Sequence, residues 1–189
     1  MPLPIGHALA GAAFFQARPG FFFGNKWLDG FFLVFLANLP DADFLPGLLK
    51  GFPNLYHHGI FHSLGAALAV ALIFGVIFFK LKGHFWRYTV AVFLVFISHL
   101  LLDYFTLDFS APYGMPLLWP IANDYFIAAH PFFINITRSA HSADFFSSIF
   151  SSHNLKAALL EVGLLGGLVL LIGIARRLLD RAPRGSHSG

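Results

Sequence analysis

The chain has 189 residues, of which 57% are hydrophobic and only 11% charged, and its mean hydropathy is +0.71. This excludes an ordinary soluble domain and points to a protein that lives in a bilayer. Cysteine is absent, which excludes disulfides and thiolate metal sites, so any bound metal must be held by His, Asp or Glu. The net charge of +3 comes from lysines and arginines scattered over short loops, a pattern that membrane topology explains better than nucleic-acid binding does.

Two short apolar runs come first, Ile5 to Ala17 and Leu28 to Leu39. Each is nearer the length of a re-entrant or protein-buried helix than the roughly 20 residues of a full span. Between them Pro19, Gly20 and Gly24 break the helical pattern, so the runs are expected to pair as a short hairpin. The opening "MPLPIGHALAG" lacks the basic region of a signal peptide, and the first run is expected to remain in the mature protein.

Three segments of spanning length follow: His62 to Lys80, Phe85 to Phe105 and Leu155 to Ala175. No linker, repeat or low-complexity tract divides the chain, so residues 1–180 read as a single membrane-embedded domain. Residues 181–189 read as a polar tail or cloning remnant, and His187 is set aside with them. The predicted fold is an all-α polytopic bundle, three long transmembrane helices plus a short N-terminal helical hairpin.

Orientation follows from the basic residues. Arg18 and Lys26, then Lys80, Lys82 and Arg87, then Arg176, Arg177, Arg181 and Arg184 fall in three regions that alternate consistently with five crossings or half-crossings. By the positive-inside rule these regions, and the C-terminus, are cytoplasmic. Only Lys50, Arg138 and Lys156 remain for the other side.

Most of the acids and histidines fall on that other side, where an ionisable group near hydrocarbon costs several kcal/mol unless it is paired, hydrated or coordinating. In "SHLLLDY", His99 and Asp103 stand four apart near the outer end of a predicted helix and share one face. In "HHGIFHS", His58 and His62 repeat the spacing at the outer start of the preceding span. "NLPDAD" brings Asp41 and Asp43 to the same level from the end of the hairpin, and His7 comes from its beginning. The predicted metal ligands are therefore His7, Asp41, Asp43, His58, His62, His99 and Asp103, at the outer membrane boundary.

This donor set suits a divalent metal, zinc, manganese or iron, and does not decide among them. A single histidine on an apolar helix is more often a satisfied core residue, so His57, His130, His141 and His153 are assigned no role. The competing account of the joint cluster is an interhelical hydrogen-bond network that only holds the bundle together.

"GHALAG", "NLPDAD", "HHGIFHS", "SHLLLDYFT" and "YGMPLLWP", in that order from His7 to about Asp124, resemble the YdjM-type family of bacterial inner-membrane metal-dependent hydrolases. The family is in turn similar to the all-helical zinc-dependent phospholipase C and single-strand nuclease fold. The resemblance implies that His99 and Asp103 form the helical ligand pair, with His62 upstream, His7 as the amino-terminal histidine and Asp41 or Asp43 as the loop carboxylate. Gly59 stands where family members often carry arginine, which takes away a group expected to bind substrate phosphate. His153 and Glu161 are eight apart rather than four, so the resemblance implies one or two ions, zinc before other metals, and not a third.

The chemistry expected of this constellation is metal-assisted hydrolysis, in which the ion lowers the pKa of water toward about 7. Asp41 is expected to ligate and Asp43 to act as base or bridging ligand. A site at headgroup level favours a membrane-lipid substrate, a phosphoester before an ester, in the inner membrane and facing the periplasm or exterior. The alternatives are a metal-binding transporter, which needs polar groups along the full depth of its spans, and a non-catalytic zinc-stapled scaffold.

Overall fold

The computed structural model describes residues 1–109 and 113–181. Of the expected tail at 181–189, Arg181 belongs to the last helix, and residues 182–189, with His187, lie outside the described residues. Eight α-helices run in the order α1 (Pro4–Ala17), α2 (Lys26–Asn38), α3 (Phe44–Leu49), α4 (Leu64–Lys82), α5 (Phe85–Tyr104), α6 (Ser142–Ile149), α7 (Ser152–Glu161) and α8 (Gly167–Arg181). No β-strand forms among the described residues, and the segment between α5 and α6 carries only two isolated bridges, Thr106 to Phe133 and Met115 to Phe126.

Several helix boundaries have a local cause. Pro4 opens α1, where a missing N–H does no harm. Asn25 caps α2 by accepting from the backbone N–H groups of Trp27 and Leu28 at 2.9 and 3.2 Å, a cap contributing about 1 kcal/mol. Ser63 caps α4 through Ala66, and Gly83, at φ +80°, ends it. Only one more residue separates α4 from α5, so the two pack as an antiparallel pair.

Four helical segments are long and apolar enough to cross a membrane: Lys26–Leu49, Leu64–Lys82, Phe85–Tyr104 and Ser152–Arg181. This is one more than the sequence pattern predicts. Pro40 and the two aspartates suggest that the second short run ends at Leu39, but the backbone continues through a 3-10 turn, Leu39–Asp43, into α3. The last span is similarly continuous, α7 running into α8 through a π-helical turn at Val162–Gly166. Outward faces carry large apolar side chains such as Phe31, Phe35, Ile73, Phe79, Leu170 and Leu171, as a lipid-facing surface requires.

Helix α1, with 14 residues, is about 21 Å long and does not span; it packs against α2, α5 and α8. Gly11 lets it approach α2 closely, since a Cβ there would lie 2.6 Å from the Leu33 carbonyl oxygen. Glu161, from α7, is buried against the start of α1 and accepts from the Leu3 N–H at 2.9 Å, a carboxylate placed at a helix N-terminus.

The aromatic core around Phe22, Phe32, Phe78 and Tyr88 fills the end of the bundle opposite the acid cluster. There Asp29 is fully buried and clamps the first loop, accepting from the Phe22 and Phe23 N–H groups at 2.9 and 2.7 Å. Arg18 and Arg87 both stack over Phe21, at 5.0 and 4.7 Å, so the basic residues of the first two cationic regions meet at this end.

Candidate metal centre

The end of α2, the start of α4, the end of α5 and the start of α1 come together at the other end of the bundle. Histidine 99 is fully buried on α5, and its Nδ1 lies 2.8 Å from the carbonyl oxygen of Ala37 on α2. Donation from Nδ1–H to that carbonyl leaves Nε2 with a lone pair directed into the cluster. Asp103, one turn along α5, puts Oδ2 at 3.2 Å from both His99 Nε2 and His62 Nε2. Asp41 puts Oδ1 at 3.6 Å from His99 Nε2 and 3.7 Å from His62 Nε2, and the two imidazole nitrogens are 3.2 Å apart.

Four donor atoms from three segments therefore face one point. Five of the six separations among them are 3.2, 3.2, 3.2, 3.6 and 3.7 Å, and the four residues offer ligand atoms within 4.8 Å of one another, dimensions compatible with a tetrahedron. Ligands about 2.0–2.2 Å from a tetrahedral ion are separated by about 3.3–3.6 Å. Both oxygens of Asp41 and both of Asp103 are buried without a hydrogen-bond partner. Two buried carboxylates that meet only imidazoles also repel one another, and a divalent cation at their centre offsets that repulsion and the cost of burial. The residues fit a divalent metal, and Asp41, His62, His99 and Asp103 form a group that could hold one.

The other predicted ligands surround this group. The His7 ring stacks on His99 with centroids 3.7 Å apart, and its Nε2 lies 3.6 Å from Asp103 Oδ1. His58 Nε2 lies 3.8 Å from Asp103 Oδ2, and its Nδ1 is 3.7 Å from Asp108 Oδ2. Asp43 sits behind His62, with Oδ2 at 2.9 Å from His62 Nδ1 and Oδ1 at 3.1 Å from His57 Nδ1. Two further sets are spaced to hold an ion, His57 with His58 and His62, and Asp41 with Asp43 and His57.

His58 and His62 stand four apart but not on one helix. They do not share a helix face: His62 closes a 3-10 turn, Ile60–His62, ahead of α4, and His58 sits in a turn at φ +58°. The turns still bring their rings to 5.0 Å. A left-handed conformation is uncommon for histidine, and its persistence here means that the surroundings enforce it. Gly59 has a local reason too, because a Cβ there would meet the Tyr56 carbonyl oxygen at 2.7 Å.

Burial disfavours the imidazolium form of His62, but the carboxylates of Asp103, Asp41 and Asp43 outweigh it and raise the pKa well above the usual histidine value. His57 moves the other way: burial first, then the neighbouring His58 and His62, push its pKa well down and keep the ring neutral. Burial also lowers His58, against the opposing effect of Asp108.

Sequence reasoning passed over His57, which packs on Phe44 with ring centroids 3.9 Å apart and contacts Asp43. Its adjacency to His58 was the available signal. His153 is bound to the Asn135 carbonyl oxygen at 2.8 Å, His141 lies against Phe52, and His130 is exposed, so none of these joins the cluster. A cavity of about 940 Å³ opens over the cluster, lined by Asp43, His57, His58, Asp108 and Arg138 together with apolar side chains.

Comparison with curated proteins and with solved structures gives no match. The family comparison does: residues 1–179 match the model of the YdjM inner membrane protein family, and the chain, a helical membrane protein with His and Asp groups able to hold a metal ion, belongs to that family.

Proposed function

We propose that this protein is a metal-dependent hydrolase that cleaves a phosphoester, or failing that an ester, of a membrane lipid. The observation that carries the reading is the compact set of His62 Nε2, His99 Nε2, Asp41 Oδ1 and Asp103 Oδ2, placed beside a cavity that is largely apolar. Zinc suits two imidazoles and two carboxylates, and His7 and His58, each facing Asp103, offer donors for a second ion. When bound, such an ion polarises an ester oxygen and makes water acidic enough to attack near neutral pH.

The chain's own residues supply the rest. His99 is held in its ligating orientation by the Ala37 carbonyl oxygen, and His62 is backed by Asp43. The neutral His57 ring, held at Nδ1 by Asp43 Oδ1, keeps Nε2 without a partner and can accept a hydrogen bond from water there. Asp43 then takes the water's proton as base, while Asp41 ligates. The apolar walls exclude bulk water and accept an acyl or isoprenoid chain.

The residues 1–180 act as one domain in this reading. The site faces the periplasm or exterior, because the basic residues gather at the opposite end and the positive-inside rule puts that end in the cytoplasm. Transport is disfavoured by the middle of α4 and α5, where no polar side chain occurs between Leu64 and Phe79 or between Thr89 and Ser98. A closed zinc staple would not need the cavity.

The test is a panel of lipid phosphoesters and esters incubated with purified wild-type protein and His99→Ala. Hydrolysis by the wild type, lost together with metal in the variant, is expected. Metal in the wild type without turnover of any ester would favour the staple.

A further inference from the structure

We propose that Arg138 is the anion-recognition residue of the cavity, and that the ligand it selects is an amphiphile bearing a phosphate. This deepens the hydrolase reading and rests on it for the placement of the phosphate beside the metal donors. Arg138 lines the same cavity as Asp43, His57, His58 and Asp108. Its Nε donates to Asn54 Oδ1 at 2.8 Å, and the guanidinium lies over the Phe44 ring at 5.1 Å. Phe44 also carries His57, so Arg138 and the His57 ring beside Asp43 are located by one aromatic ring.

These contacts orient the guanidinium without neutralising it. Among the described residues Arg138 makes no ion pair, although four aspartates stand in the adjoining cluster. Asn54 occupies only Nε and leaves the terminal NH₂ groups for a ligand. A planar, pre-oriented fork of donors matches two phosphate oxygens better than it matches a neutral ester carbonyl.

The rest of the cavity indicates what the phosphate is attached to. Its walls include Leu45, Leu55, Ile60 and Phe61, and its volume of about 940 Å³ far exceeds a phosphate group. Lys50, another of the three cations expected on this side, contacts the hydroxyl of Tyr56, which also lines the cavity. Of the three scarce cations, Arg138 lines this cavity and Lys50 touches one of its lining residues, an arrangement that receives an anionic head together with its chain.

The experiment measures binding, not turnover. Zinc-loaded full-length protein in maltoside micelles is titrated with dodecyl phosphate and, separately, inorganic phosphate, followed by phosphorus NMR, with zinc content measured alongside. Wild type is expected to bind dodecyl phosphate at least about tenfold more tightly than inorganic phosphate, and Arg138→Gln to weaken dodecyl phosphate binding by about tenfold or more with zinc unchanged. Arg138→Lys, which keeps charge but not the fork, should fall between them. Asn54→Ala, which frees the guanidinium without removing it, gives an independent reading if Arg138→Gln does not fold, and should weaken binding by several-fold.

Dodecyl phosphate binding within twofold of wild type in whichever of Arg138→Gln and Asn54→Ala folds with its zinc overturns the assignment. Equal affinity for inorganic and dodecyl phosphate would make free phosphate the ligand and overturn the amphiphile. Arg138-dependent binding in a protein that hydrolyses no phosphoester would reject the hydrolase and leave the recognition role standing.

Discussion

His99 Nδ1 on α5 lies 2.8 Å from the carbonyl oxygen of Ala37 on α2, a contact between residues 62 apart in sequence. It joins two membrane helices at the level of the candidate metal centre and turns the other ring nitrogen toward His62 and Asp103. The contact is structural and functional together, because the same proton that ties the helices fixes the tautomer. His99→Ala is therefore expected to weaken zinc binding by at least about 100-fold, since it removes a ligand as well as the tie. Competition with a chelating dye measures this; zinc affinity equal to wild type would contradict it.

Asp43 allows a finer test. Its two oxygens face His57 Nδ1 and His62 Nδ1, at 3.1 and 2.9 Å. If it orients histidines and does not ligate, Asp43→Asn should reduce zinc affinity by about 10–100-fold, less than Asp103→Asn does. Ester turnover should fall further than zinc occupancy in the Asp43 variant, because the base that takes the water's proton is lost. Equal losses of zinc in the two variants would make Asp43 a ligand.

The elevated His62 pKa sets a pH dependence. Without metal, His62 is held protonated by Asp103, Asp41 and Asp43, and a cation must displace that proton. Zinc affinity is accordingly expected to rise as pH increases from about 6 to 8, with proton release on binding. The metal-free protein should show the opposite slope: a raised folded-state pKa stabilises fully below the unfolded value of about 6.5, and that contribution is lost as pH rises through the folded value. Calorimetry in buffers of different ionisation enthalpy counts the protons, and zinc affinity independent of pH would contradict the prediction.

Gly11 tests the scaffold. A Cβ there would meet Leu33 backbone atoms at 2.6 Å, which cannot move aside as a side chain can. Gly11→Ala should separate α1 from α2 and destabilise the protein by about 1–3 kcal/mol, visible as a lower unfolding temperature in detergent. His7 lies one turn away on α1, so its stacking on His99 should loosen as well. An unfolding temperature equal to wild type would show that the helices relax without cost.

Much of this architecture is legible in the sequence, for physical reasons that vary by element. The spans at α4 and α5 are apparent because only a long apolar run can satisfy its backbone in lipid, and the observed limits, Leu64–Lys82 and Phe85–Tyr104, fall within two residues of those read from hydropathy. The convergence of His62, His99 and Asp103 follows from a short α4–α5 connection. The continuation of α2 past Pro40 is not legible, because a 3-10 turn carries no apolar period and a proline with two acids reads as a terminus. Nor is the pairing of Asp43 with His57, which depends on turns around Gly59 and a left-handed His58 that no spacing rule anticipates. Arg138 is further still, reaching the cavity from beyond α5 through Asn54 and Phe44.

The central claim is that His62, His99, Asp41 and Asp103 jointly bind a divalent metal, and elemental analysis of the protein purified from membranes without added metal tests it most directly. One or two equivalents of zinc are expected in wild type and less than about a tenth of that in the His62→Ala, His99→Ala double variant. A folded wild-type protein that holds no metal even after dialysis against zinc, or a double variant that retains the full complement, would contradict the account.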